Sequence, residues 1–222
     1  MRPRLVIFDV DGVLVDARSS WRVIHEALGT VRHSELYAHL YWEGRISYRD
    51  WMLADTQLWL EAEPRLDRHM LAEILEERVS ILPDAHDAIE RLRRRGVEVA
   101  FVSGGVDILV ERVAGELGVK LWAAPRLAFD SRGRLIPGGV PEVEADAKHR
   151  WVYRFSEMLG VPRSAICVVG DSRIDAPMMM VAAGGVAVNP VDEVVVKAAE
   201  GRAVKGPLEA VEVILEGGCG RP

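Results

Sequence analysis

The chain has 222 residues, of which 49% are hydrophobic and 28% charged, and its formal net charge is −6. This length and composition are typical of one folded core with room for a small insertion, and they exclude a mainly disordered chain. The acidic balance argues against a nucleic-acid-binding protein, which usually presents a basic face. No apolar run reaches the roughly 18 residues of a membrane-spanning helix. We therefore expect neither nucleic acid nor a membrane among the partners.

The start of the chain and its cysteines indicate a cytoplasmic protein. Asp9 and Asp11 interrupt the first apolar run too early for a signal peptide, and no small-residue cleavage site follows. The two cysteines, Cys167 and Cys219, suit a reducing compartment, and we expect no disulfide framework. In this interpretation Cys167 is a small core residue, and Cys219 belongs to a frayed, Gly-rich tail.

Short apolar runs alternate with helical patterns through most of the chain. The runs suit strands that are buried on both faces of a sheet, and they cover residues 4–8, 97–102, 165–170 and 185–188. The helical patterns each end beside a glycine, and they cover residues 84–95, 107–117, 143–159 and 174–183. This alternation predicts an α/β fold with an open, doubly wound parallel sheet of the Rossmann-like kind.

The segment from residue 16 to residue 80 breaks this alternation. It holds no strand-like run, and its helical patterns cover residues 20–28, 34–42, 48–60 and 66–79. We therefore expect a helical subdomain, residues 16–80, inserted into a core made of residues 1–15 and 81–222. Its Trp and Tyr side chains are expected to form its own core more than a ligand pocket, because a small helical unit needs large side chains to bury enough area. Turn residues near 126–137 predict a hairpin.

Polar residues stand at the carboxyl ends of the predicted strands, where open α/β sheets bind ligands. The first strand is followed by Asp9 and Asp11, the second by Ser103 and Gly104, and the third by Asp171 and Asp175, while Lys148 precedes the third strand. The carboxyl ends of parallel strands meet at one edge, so we expect a single site there. Asp175, four residues after Asp171, could orient a metal ligand or cap the next helix.

Three short aspartate side chains at one site suit Mg²⁺, which prefers hard oxygen ligands. Asp9 and Asp11 lie two residues apart in an extended segment and therefore point the same way. One can attack a phosphorus atom while the other protonates the leaving oxygen, although both could instead cap a turn. Glycine beside Ser103 lets backbone amides approach an oxyanion, and Lys148 offers a balancing positive charge. Taken alone, these two features also fit an ordinary turn and an exposed lysine.

These segments resemble the four motifs of the haloacid dehalogenase superfamily, whose members are mostly Mg²⁺-dependent phosphatases. The motifs are FDVDGVLVD at 8–16, FVSGG at 101–105, Lys148, and VVGDSRID at 168–175. The chain is most similar to the phosphoserine phosphatase-like branch. That branch has a helical cap in the same place and segments like EGRI at 43–46 and VSGGVDI at 102–108.

The resemblance implies a role for each candidate residue. Asp9 would be the nucleophile, Asp11 the general acid and base, and Lys148 the group that stabilises the phosphoaspartate. The implied ligands are Asp9, the Asp11 carbonyl and Asp171, supported by Asp175, for Mg²⁺, and Ser103 and Gly104 for phosphate.

Two cap positions depart from the branch. Where phosphoserine phosphatases carry a glutamate that meets the substrate amine, an ungapped count places Arg18. Where they carry an arginine that meets the substrate carboxylate, a less direct count places Asp55. Phosphoserine would then face like charges. We therefore expect a small, anionic phosphomonoester other than phosphoserine, with Arg18 binding it; the alternative for Arg18 is a solvated arginine at a helix start.

The sequence thus predicts a Mg²⁺-dependent phosphatase that hydrolyses a small phosphorylated metabolite through an aspartyl-phosphate intermediate. Two alternatives remain open. One is a phosphotransferase or mutase of the same superfamily, and the other is a catalytically idle binding protein on the same fold. A monomer and a homodimer fit the sequence equally well.

Overall fold

The computed structural model describes residues 3–217, 219 and 220, and these contain two β-sheets. The strands are β1 Leu5–Phe8, β2 Glu98–Val102, β3 Leu121–Ala123, β4 Arg126–Phe129, β5 Leu135–Val140, β6 Ile166–Gly170, β7 Gly184–Val188 and β8 Ala203–Val204. Six of them form a parallel sheet in the order β3-β2-β1-β6-β7-β8, whereas β4 and β5 form an antiparallel ribbon.

Ten α-helices lie within the described residues. They are α1 Ser20–Leu28, α2 Val31–Trp42, α3 Tyr48–Ala62, α4 Arg68–Arg78, α5 Ala85–Arg94, α6 Asp107–Glu116, α7 His149–Leu159, α8 Ala176–Val181, α9 Glu193–Ala198 and α10 Pro207–Gly217. A short 3₁₀ helix covers Arg163–Ala165. None of the helices in this part of the chain is long and apolar enough to cross a membrane.

The core lies on both faces of the parallel sheet because its central strands are apolar on both faces. In β1, Val6 and Phe8 pack into one hydrophobic cluster, and Leu5 and Ile7 pack into the other. Alternate residues of a strand point to opposite faces, so the continuous apolar run serves two layers of helices. This arrangement confirms the predicted doubly wound α/β fold.

The predicted elements recur with shifted ends. All four predicted strands are present, and the predicted hairpin is the ribbon of β4 and β5. The helix expected from residue 143 begins only at His149, because the preceding residues form turns. The sequence analysis missed the two edge strands β3 and β8 and the last two helices. The edge strands are three and two residues long, which is too short for a periodic pattern.

Helices α1 to α4 separate β1 from the rest of the core, and α3 packs against the ribbon. The Thr56 hydroxyl of α3 accepts a hydrogen bond from the backbone N–H of Gly138 at 2.7 Å and donates one to the carbonyl of Met52 at 2.7 Å. The ribbon is therefore a support for the inserted helices rather than an isolated hairpin.

The expectation for the cysteines is wrong. Cys167 of β6 and Cys219 form a disulfide, although 52 residues separate them in sequence. Cys219 is buried, and its carbonyl accepts a hydrogen bond from Arg202 Nη2 at 3.3 Å, so this part of the tail is attached to the sheet. The separation of the two cysteines in sequence does not predict this pairing, because the fold of the chain between them, which ends in α10, brings them together. The cytoplasmic location stays a prediction, and the two cysteines no longer support it.

We expect denatured, unreduced protein to contain no titratable thiol, and reduced protein to contain two. Cys219→Ala should lower the free energy of unfolding by about 2–4 kcal/mol, because the crosslink restricts the unfolded chain. Reductant should destabilise the wild-type protein but not this variant, as measured by urea denaturation. Two free thiols in the unreduced protein would contradict the disulfide.

Candidate active site

The site lies at the carboxyl ends of three adjacent strands. Strand β1 is flanked by β2 and β6, so the residues that follow these strands are neighbours in space. Asp9 follows β1, Ser103 follows β2 and Asp171 follows β6, and all three are buried. The structure thus brings together the groups that the sequence placed at one edge.

The side chain of Lys148, just before α7, is fully buried between two carboxylates. Its ammonium lies 2.9 Å from Asp9 Oδ2 and 2.8 Å from Asp175 Oδ1. Burial alone would lower the pKa of Lys148, but Asp175 and Asp9 raise it above its ordinary value. Burial raises the pKa of Asp9 well above its usual range; Asp175 raises it further, and Lys148 opposes this. Lys148 is therefore a permanent cation that holds Asp9 in place.

Asp175 organises the loop after β6. Its Oδ2 accepts hydrogen bonds from the backbone N–H groups of Asp171 at 3.0 Å and Ser172 at 3.3 Å. Its Oδ1 accepts a hydrogen bond from the Lys148 ammonium. Gly170 leaves room for this approach, since a Cβ there would collide with the Asp175 side chain. Asp175 therefore orients its neighbours, and both of its oxygens are engaged.

Asp11 faces the start of α1 rather than the carboxylate cluster. Its Oδ2 accepts hydrogen bonds from the backbone N–H of Ser20 at 2.7 Å and from the Ser20 hydroxyl at 2.8 Å. Its Oδ1 is buried without a hydrogen-bond partner among the described residues. Burial raises the pKa of Asp11, and the bonds from Ser20 lower it. A carboxyl group with one held and one open oxygen can carry a proton and pass it on.

The loop after β2 approaches both Asp11 and the inserted helices. Ser103 Oγ accepts a hydrogen bond from Gly105 N–H at 3.0 Å, and a Cβ at Gly105 would lie 2.5 Å from Ser20 Oγ. The carbonyl of Gly104 accepts bonds from Trp21 Nε1 at 3.0 Å and from the Tyr48 hydroxyl at 3.3 Å. The sequence analysis missed these two aromatic contacts.

Three buried carboxylates fit a divalent cation. One oxygen from each of Asp9, Asp171 and Asp175 lies within 4.8 Å of the others. Oxygen donors of this kind are those that Mg²⁺ prefers. Asp175 already accepts two backbone hydrogen bonds at Oδ2 and the Lys148 ammonium at Oδ1. Asp9 accepts one bond at each oxygen, and Asp171 Oδ2 accepts one from Arg18, so these two side chains have more lone pairs left for a metal. The Asp11 side chain is not in this cluster, which leaves only its carbonyl for the metal role that the resemblance implied.

Arg18 lines the same pocket, but its guanidinium is paired. Nη1 donates to Asp171 Oδ2 at 2.7 Å, and 42% of the Arg18 side chain is exposed. Burial raises the pKa of Asp171, Asp175 raises it further, and the bond from Arg18 lowers it. Arg18 thus faces the carboxylate cluster in this structure. Its expected role as a substrate-binding residue stays a prediction.

The pocket above these groups has a volume of about 170 Å³. The inserted helices supply its wall of large side chains, namely Trp21, Trp42, Tyr48, Trp51 and Met52, together with Asp55. Trp59, by contrast, is fully buried in the hydrophobic core. The aromatic residues therefore serve both as core and as pocket lining. Positions 48, 51, 52 and 55 share one helical face, and this spacing is the signal that could have revealed the wall.

The chain matches a family model over residues 3–182, that of the haloacid dehalogenase-like hydrolases. It belongs to this hydrolase family. The superfamily resemblance drawn from the motifs is thereby confirmed.

Curated relatives of this hydrolase include two phosphoserine phosphatases. The chain is 28% identical to that of Archaeoglobus fulgidus over 219 residues, 96% of this chain and 60% of the relative. It is 29% identical to that of Streptomyces coelicolor over 219 residues, 96% of this chain and 50% of the relative. The chain therefore spans only half to three fifths of their length. These matches fit the branch that the motifs indicated.

A solved structure of similar fold is a phospho-aspartyl intermediate analogue of phosphoserine phosphatase. The two chains are 22% identical, with a TM-score of 0.73, over 92% of this hydrolase and 94% of that chain. At this identity the comparison shows the shared fold.

Lys148→Met should destabilise the hydrolase strongly in the presence of a chelator. The variant leaves Asp9 and Asp175 buried without their cation, and breaking a buried pair in this way costs about 3–5 kcal/mol. Urea denaturation measures the difference. Lys197→Met is the matched control, because Lys197 is exposed and forms a surface ion pair with exposed Glu193, and its effect should stay within about 0.5 kcal/mol. Equal stability of the two variants would refute the structural role of Lys148.

Proposed function

We propose that this hydrolase is a Mg²⁺-dependent phosphatase that cleaves a small phosphomonoester through an aspartyl phosphate on Asp9. The observation that carries the proposal is the environment of Asp9, which lies at the floor of a pocket, held by a buried lysine beside further carboxylates. A carboxylate that is oriented but not shielded from the pocket can act as a nucleophile.

In the first step, a carboxylate oxygen of Asp9 attacks phosphorus and the bond from phosphorus to the leaving oxygen breaks. Asp11 gives its proton to that oxygen, so an alcohol leaves. In the second step, Asp11 takes a proton from a water molecule whose oxygen attacks phosphorus. The bond between Asp9 and phosphorus breaks, and phosphate and the free carboxylate result.

Other residues support these steps by position and charge. The Val10 N–H donates to Asp9 Oδ1 at 2.8 Å and Lys148 holds Oδ2, so the carboxylate is fixed at both oxygens. Asp9 and Asp171 would hold Mg²⁺, with Asp175 orienting the loop, and the ion would supply positive charge to the phosphoryl oxygens. Ser103 and the amides near Gly104 would bind the phosphate, because they lie beside Asp9 at the next strand end.

Residues 16–80 would act as a cap on the core formed by residues 1–15 and 81–222. The bonds from Trp21 and Tyr48 to the Gly104 carbonyl support this, since they join the inserted helices directly to the phosphate-binding loop. Closure of this contact would exclude bulk water from the aspartyl phosphate.

Asp9→Asn should abolish turnover of para-nitrophenyl phosphate in the presence of Mg²⁺, because an amide is not a competent nucleophile. The folded state should persist, since the substitution keeps the side-chain shape and removes a buried negative charge. The control is Asp87→Asn at an exposed position of α5, and this variant should keep the wild-type rate. Release of inorganic phosphate and thermal unfolding are the two readouts. A near-normal rate for Asp9→Asn would exclude covalent catalysis at this residue, and stoichiometric transfer to an alcohol without phosphate release would favour the phosphotransferase alternative.

Asp11→Asn should discriminate between leaving groups. An alkyl alcohol leaves poorly without a proton, so kcat/KM for an alkyl phosphate should fall by about 10²–10⁴. A nitrophenolate leaves readily, so kcat/KM for para-nitrophenyl phosphate should fall much less. This ratio reports only the step that forms the aspartyl phosphate. An equal loss for both substrates would show that Asp11 does not protonate the leaving group.

A further inference from the structure

The cap side of the pocket ends at a buried carboxylate. Tyr48, Trp51, Met52 and Asp55 recur on one face of α3 and line the pocket. The rings of Tyr48 and Trp51 lie 5.7 Å apart, and Asp55 is only 3% exposed. Trp21 of α1 contributes a further aromatic wall.

His25 Nε2 lies 3.3 Å from Asp55 Oδ1, but both atoms are buried without a hydrogen-bond partner among the described residues. The other ring nitrogen of His25, Nδ1, accepts a hydrogen bond from the indole N–H of Trp59 at 3.1 Å and lies 2.7 Å from the Thr30 hydroxyl. An indole N–H can only donate, so Nδ1 is the acceptor in its contact with Trp59. His25 Nδ1 is thus engaged by residues away from the pocket, and the contact through Nε2 leaves Asp55 Oδ1 without a hydrogen bond.

No lysine or arginine makes an ion pair with Asp55 within the part of the chain that the structure describes. Arg18, the pocket arginine, is paired with Asp171 at the opposite, metal-binding side. Burial raises the pKa of the Asp55 carboxyl, and the contact with His25 lowers it. A buried carboxylate oxygen without a hydrogen-bond partner is under-compensated, and a cation placed beside it would stabilise it.

Aromatic faces add to this preference. The face of a Trp or Tyr ring carries partial negative charge and attracts ammonium and quaternary ammonium groups. Trp21, Tyr48 and Trp51 line the same pocket as Asp55, and Trp21 and Tyr48 both bond the Gly104 carbonyl of the phosphate-binding loop. A carboxylate and aromatic faces together form a site for a small organic cation, and the volume of about 170 Å³ suits a leaving group of a few heavy atoms.

We propose that the substrate is the phosphate monoester of a small amino alcohol, whose ammonium or quaternary ammonium group binds Asp55 and the rings of Trp21, Tyr48 and Trp51. This inference rests on the phosphatase function proposed above. It reverses the sequence-based expectation of an anionic substrate, because that expectation treated Arg18 as the free charge of the pocket. A carboxylate on the substrate, as in phosphoserine, would meet aspartates and an arginine that is already paired.

The test compares substrates of the same shape and different charge. Choline phosphate is paired with neohexyl phosphate, in which carbon replaces the nitrogen, and aminoethyl phosphate is paired with propyl phosphate. We expect kcat/KM to favour the cationic member of each pair by about tenfold or more. Aminoethyl phosphate should also exceed phosphoserine. Equal kcat/KM within both pairs, or a tenfold preference for phosphoserine, would overturn the proposal.

Asp55→Asn assigns the preference to this residue. The variant keeps the shape and removes the charge, so the ratio of kcat/KM within each pair should fall towards one. Glu61→Gln is the matched control, since Glu61 is an exposed carboxylate on the same helix, and the ratio should not change. Thermal unfolding shows whether each variant is folded. An unchanged ratio in folded Asp55→Asn would refute the role of Asp55.

A binding measurement separates this proposal from the phosphatase function. Choline and neohexanol are titrated against the tryptophan fluorescence of the wild-type protein and Asp55→Asn. Hydrolysis of para-nitrophenyl phosphate without any charge preference would overturn only the cation site. Failure to hydrolyse any phosphomonoester with Mg²⁺ would overturn the phosphatase. In that case, selective binding of choline by the wild-type protein alone would still establish the cation site, and equal binding of both alcohols would remove it.

Discussion

The contact on which the site depends is the buried ammonium of Lys148 between Asp9 and Asp175. It joins three separate parts of the fold, namely the end of β1, the start of α7 and the loop after β6. Without this cation, the carboxylates would repel each other in a medium that screens charge poorly. The sheet brings the acidic groups together, and the positive charge of Lys148 offsets the repulsion between them. The same arrangement leaves Asp9 oriented towards the pocket, which is what nucleophilic attack requires.

The pocket has two ends with different electrostatics. At the sheet end, carboxylates are matched by Lys148 and Arg18 and have the oxygen donors that a divalent cation needs. At the other end, Asp55 is buried 3.3 Å from His25, its Oδ1 has no hydrogen-bond partner among the described residues, and aromatic side chains line the same pocket. In the proposed function, the strand ends of the core would supply the chemistry and the face of α3 would supply recognition. The hydrogen bond between Gly138 and Thr56 holds α3 against the ribbon, and this contact supports the face of α3 that lines the pocket.

Much of the fold and the chemical centre could be predicted because local sequence carries them. An apolar run such as residues 5–8, rich in β-branched residues, is typical of a strand buried on both faces, and the alternation of a strand fixes which side chains face each layer. The position of Asp9, Ser103 and Asp171 after such strands then follows from parallel topology. The short edge strands, the late start of α7 and the disulfide escaped prediction, since each depends on contacts between distant segments.

The sequence by itself determined the α/β alternation, the helical insertion and the acidic, glycine-rich strand ends, because these depend on residue type and short spacing. Only the tertiary structure decided which charges neutralise each other. From the sequence, Arg18 and Asp55 were two reversed charges facing a substrate. In the folded chain, Arg18 is paired with Asp171, and Asp55 lies buried beside His25 with no lysine or arginine paired to it among the described residues. The charge that a ligand meets depends on such long-range pairing, and residue order alone does not encode it.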